Sequence, residues 1–104
     1  MSSTSSPVLL APRKVAADPD VIPPVGVEPG GTLIWTNSSK TFPTFRIEFV
    51  GANPDNPSDA TGESQVKILF PTAGTFEYQI RHIRAGGGPD KVSGTFAVRS
   101  CNGC

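Results

Sequence analysis

A charge surplus of either sign is missing from this sequence: nine Lys and Arg balance nine Asp and Glu over 104 residues. Nucleic-acid binders draw most of their affinity from basic side chains that neutralise phosphates, so nucleic acid is not an expected partner. The local set Lys91, Arg81 and Arg84 reads as a solvated face. Long apolar runs are missing too. None approaches the ~20 residues a membrane helix needs. The N-terminal run from Val8 to Ala11 is too short for a secretory signal core and has no basic segment before it. No membrane association is expected, and the chain as it stands reads as cytoplasmic. An exported chain whose signal had been removed would read the same.

Cysteine is absent from the body of the chain; the only two are Cys101 and Cys104. No disulfide is expected to staple the domain, so packing has to stabilise it. Histidine is scarcer still, with His82 alone. A Ser-His-Asp arrangement would have to be built on it, and no nearby serine stands in a nucleophile elbow. No catalytic residue and no cofactor are expected. No window of ten or more residues carries a helical period.

What is present suits short strands. Eleven Gly and eleven Pro break the chain every few residues. Residues 1–6 are Ser- and Thr-rich and are expected to be a disordered tail. Residues 7–28 mix Val, Leu and Ile with prolines, as edge strands do. Thr32 to Asn37 reads as a strand closed by a polar turn to Lys40. Period-2 alternation then marks Phe45, Ile47 and Phe49, next Val66, Ile68 and Phe70, and next Phe76, Tyr78, Ile80 and His82. Between them residues 51–64 read as a polar loop. A last strand is expected from Val92 to Val98, with Val92, Phe96 and Val98 on one side. Strands at this spacing argue for one all-β domain, a sandwich or small barrel.

Three segments in order, PGGTLIWTN, FPTFRIEF and FPTAGTFEYQI followed by a glycine-rich loop and VSGTFAV, together resemble the cupredoxins, such as plastocyanin-like domains. The resemblance covers roughly residues 20–99. It implies an antiparallel Greek-key β-sandwich of about seven or eight short strands. The domain would occupy residues 7–99, with a Cys-x-x-Cys tail at 100–104. Blue-copper sites of that family use two His, a Cys and a weak axial Met, because thiolate and imidazole together stabilise both copper oxidation states. The matching positions here hold Thr44, Ile80, His82 or Ile83, and Val92. The resemblance is therefore to a copper-free member, with no metal site expected.

Several other motifs favour plain readings. Asp55, Asp59 and Glu63 lack EF-hand spacing. Gly86 to Gly88 precede no Gly-Lys-Ser/Thr and read as a flexible hairpin. Asn37-Ser38-Ser39 fits a glycosylation acceptor, relevant only to a eukaryotic secretory protein. His82 closes a core-facing row and reads as a rim histidine. Cys101 and Cys104 read as a loose tail or local disulfide, with an intermolecular crosslink or shared metal as the alternative. Cys101 is expected near Gly74, far from His82.

The expected function is a non-enzymatic interaction or assembly module, presenting the turn 38–45 and the loop 83–91 to a protein partner or to copies of itself. Its candidate surface residues are Phe42, Pro43, Thr44, His82, Arg84, Gly87 and Lys91. The alternative is a metal-binding protein using His82 or the terminal thiols.

Overall fold

Alternation decides where this chain becomes extended. In the computed structural model, which describes residues 12–103, nine strands and no helix form. They are β1 (Arg13–Ala16), β2 (Val25–Val27), β3 (Gly31–Thr36), β4 (Thr44–Phe49), β5 (Ala60–Gly62), β6 (Gln65–Phe70), β7 (Gly74–Ile83), β8 (Lys91–Val92) and β9 (Phe96–Ser100). The expected tail at 1–6, residues 7–11 of the expected sandwich, and Cys104 lie outside the described residues. With no helix among the described residues, none is long and apolar enough to cross a membrane.

The strands form two sheets, β1-β3-β6 and β2-β9-β7-β4-β5, with β8 paired to β7. Both are mixed, which corrects the antiparallel expectation and its count of seven or eight strands. β1 runs parallel to β3, Ala16 beside Thr36, and β2 runs parallel to β9, Val27 beside Ser100. Each parallel strand lies at a sheet edge, where a chain rich in proline can still bond along one side. The polar stretch 51–64 also carries a strand that alternation does not reveal. Ala60–Gly62 pairs with β4 through Phe45–Gly62 and Ile47–Ala60.

The expected last strand is two strands separated by a bulge. Tyr78 pairs with Phe96 and Arg81 with Val92, so Gln79 and Ile80 oppose three residues, Ser93 to Thr95. One extra residue reverses the facing of everything before it. Val92 therefore shares the outer face with Arg81 and is 43% exposed, instead of joining Phe96 and Val98. Ser93 holds the bulge together. Its Oγ accepts the Ile80 N–H at 2.8 Å, and its own N–H donates to the Ile80 carbonyl at 2.9 Å.

Inward positions of the two sheets meet in a core of Leu33, Trp35, Phe45, Ile47, Phe70, Phe76, Tyr78, Ile80 and Val98, all sealed from water. Aromatic rings form its centre. Trp35 meets Tyr78 edge-on at 5.2 Å, and Phe70 lies 5.4 Å from Phe76. Burial pushes the Tyr78 phenol above its ordinary value, with the Trp35 indole opposing the rise. Neither Trp35 Nε1 nor Tyr78 Oη has a hydrogen-bond partner among the described residues.

Candidate functional site

The turn after β3 is built by its own side chains. Asn and Ser bond readily to nearby backbone, which favours turns over strand ladders. Here the Asn37 amide donates to the Phe42 carbonyl at 2.7 Å, and Asn37 Oδ1 accepts from the Ser39 N–H at 3.1 Å. The Phe42 N–H donates to Ser39 Oγ at 3.0 Å. The side chain of Phe42 is thereby aimed across the end of the six-stranded sheet. There its ring meets His82 edge-on at 6.1 Å, and the Arg84 guanidinium lies over it at 4.8 Å.

The loop between β7 and β8 closes on that turn. Ala85 donates its N–H to the Thr41 carbonyl at 3.1 Å. Gly86, Gly87 and Gly88 all have positive φ, at 75°, 89° and 109°, a region side-chain-bearing residues rarely enter. The return arm is tied down twice: Arg81 Nη1 lies 3.5 Å from Asp90 Oδ2, and Lys91 Nζ lies 3.5 Å from Asp20 Oδ1. Arg81 itself is set by Glu48 Oε2 at 3.2 Å, which Arg46 Nε shares at 3.3 Å. The Gln79 amide and then the Arg81 guanidinium hold Glu48 below its ordinary value, against some desolvation.

Turn, loop and the segment after β1 enclose a cleft of about 140 Å³ lined by Asp18, Ser39, Phe42, His82 and Lys91. Of the sequence-predicted residues, Phe42, His82 and Lys91 line it, and Arg84 lies over the Phe42 ring. Pro43 is exposed beside them, and Thr44 begins β4 opposite Ile83. Gly87 stands at the exposed tip of the loop, with open space around its α-carbon. Asp18 was not foreseen. Parallel pairing of Ala16 with Thr36 places it beside Ser38, whose N–H donates to Asp18 Oδ2 at 3.2 Å. The Asp18-Pro19-Asp20 run signals a turn in the sequence, but nothing local says which turn it will meet.

His82 is 8% exposed and takes the last inward position of β7, between Phe45 and Lys91 on the neighbouring strands. Burial, and then the Lys91 ammonium, hold it below its ordinary value of 6.5. The Asp18 carboxylate and a hydrogen bond to the Ala17 backbone pull the other way. The unfolded chain therefore takes up the proton first. Stability from the neutral imidazole is complete above pH 6.5 and drains away as pH falls through the folded-state value. Urea midpoints measured between about pH 7 and about pH 5 should fall for the native chain and flatten for His82→Phe. An unchanged slope in His82→Phe would place the titration elsewhere.

Among the described residues no three His, Cys, Asp or Glu side chains group as metal ligands. Ile80 is sealed in the core, and Val92 lies on the face opposite His82. Cys101 is disulfide-bonded, and its N–H donates to the Val27 carbonyl at 3.1 Å. It follows Ser100, the partner of Gly74 at the far end of β7 from His82. No family model matches this chain, and no curated protein sequence is significantly similar to it.

Proposed function

We propose that this chain is a non-enzymatic interaction module: a copper-free, cupredoxin-like β-sandwich that presents the turn 38–45 and the loop 83–91 to a protein partner or to another copy of itself. The observation that carries the reading is the docking of the two segments through Phe42, half-buried between His82 and Arg84. Rigid strands support a surface made of loops, the usual division between scaffold and recognition. Support for the cupredoxin-like fold comes from two facing β-sheets and from the convergence of these segments at one end, as the resemblance implies. The disulfide at Cys101 removes its free thiol from the metal-binding alternative.

Phe42→Ala and Gly87→Asp test the surface separately, by size-exclusion chromatography and pull-down. Phe42→Ala removes the ring that joins turn and loop. Gly87→Asp adds charge where φ is +89° and space is open. Gly87→Asn separates charge from backbone strain, because Asn tolerates that conformation better than most residues. Each of the first two is expected to weaken association about tenfold or more, the scale of losing a central anchor. Association unchanged in both variants would sink the reading.

A further inference from the structure

Arg84 is exposed, and its arm lies against Phe42 and close to Gly88. The guanidinium carbon lies 4.8 Å from the centre of the Phe42 ring. Gly88 is also close, at φ +109°, where an added Cβ would stand 2.8 Å from Arg84 Cδ and 3.4 Å from Nε. The positive φ favours glycine here, and an added Cβ would push the Arg84 arm aside. Next to it, the Ala85 N–H bond to Thr41 fixes the backbone.

The charges around this arginine are unevenly satisfied. Ser38 engages Asp18, Lys91 engages Asp20, and Arg81 engages Asp90. Among the described residues no carboxylate lies within ion-pair distance of Arg84. Ordering a long side chain carries an entropic cost, and here no ion pair within the described fold offsets it. A planar guanidinium stacked on a ring keeps its N–H edge free for a two-oxygen acceptor.

We propose that Arg84 is a preorganised receptor for a carboxylate on an acidic peptide segment of the partner, with Phe42 and the adjoining cleft receiving the neighbouring side chain. This rests on the interaction reading above and names the partner's chemistry. A singly charged carboxylate suits the site better than a phosphate does. Asp18, Asp20 and Asp90 surround this pole and repel a dianion more strongly, and the chain carries no basic surplus overall.

The test is a nuclear magnetic resonance titration of the ¹⁵N-labelled full chain with a capped peptide in which glutamates flank a leucine. Its glutamine counterpart and inorganic phosphate are titrated in parallel. The acidic peptide is expected to move the amide signals of Phe42, Arg84 and Gly86 to Gly88. The glutamine peptide is expected to bind about tenfold more weakly or worse, as loss of a charge-assisted pair implies. Arg84→Gln should erase the difference, and Arg84→Lys should recover it only in part. Gly88→Ala, which changes no charge, should weaken binding by displacing the arm. The proposal is overturned by equal affinity for the two peptides, by no shift with the acidic one, or by acidic binding that survives Arg84→Gln. Phosphate shifting the same signals as strongly would also overturn it, in favour of a general oxyanion site. If the peptide arm fails while Phe42→Ala still abolishes association, only the partner's chemistry is wrong. If Phe42→Ala leaves association intact, the interaction reading itself has failed.

Discussion

Trp35→Ala is expected to lower the unfolding free energy by about 3–5 kcal/mol, the range for removing a large aromatic from a packed core. A domain of this size has only about 5–15 kcal/mol in total, so the loss removes a large share of its stability. Trp35 is 0% exposed, next to last in β3, and touches the aromatic centre through Tyr78 and Phe70, at 5.2 and 6.4 Å. Its strand bonds on both sides, to β1 and β6, so a void there loosens the whole smaller sheet. Trp35→Phe keeps a ring and removes the indole N–H that lacks a partner among the described residues, so it should lose far less. Urea unfolding followed by far-ultraviolet circular dichroism measures both, since the only tryptophan is gone. A loss under about 1 kcal/mol for the alanine variant would mean that the core collapses around the gap far better than its packing suggests.

Gly62→Ala should be the next most damaging substitution, at roughly 2–3 kcal/mol, the scale of forced overpacking. β5 leaves the larger sheet and β6 enters the smaller one, with a tight corner between them. At that corner a Cβ on Gly62 would collide with the Gln65 carbonyl oxygen and come within 3.1 Å of Val66 Cγ2. The first obstacle is backbone, which cannot swing aside as a long side chain does. Gly94→Ala is the control: nothing lies within 4 Å of its added Cβ, and its stability should stay within about 0.5 kcal/mol of the parent. A loss at Gly62 no larger than at Gly94 would show that the corner relaxes around the added methyl group.

The inward rows of β4, β6 and β7 were legible because each alternates without interruption, and period 2 alone assigns their faces. His82 followed from the same parity, at the end of its row. The polar turn from Asn37 to Lys40 was legible from residues that bond readily to their own backbone. Three glycines in succession announced the loop opposite it.

Other features depended on partners distant in the chain. β5 is three residues long and has no alternation to read; Phe45 and Ile47 on β4 make it a strand. The bulge at Ser93 to Thr95 depends on the Ile80 N–H meeting a serine hydroxyl thirteen residues away. That meeting turned Val92 outward and set Lys91 beside His82.

By itself the sequence determined an all-β chain, most of its buried row, and two polar segments rich in turn residues, because those properties are set by neighbours within a few positions. Only the tertiary structure decided that β1 runs parallel to β3, that Asp18 joins the cleft, and that Arg84 lies over Phe42 close to Gly88. Strand pairing brings together residues whose separation along the chain carries no local signal, and a one-residue shift in register reverses which face each side chain occupies.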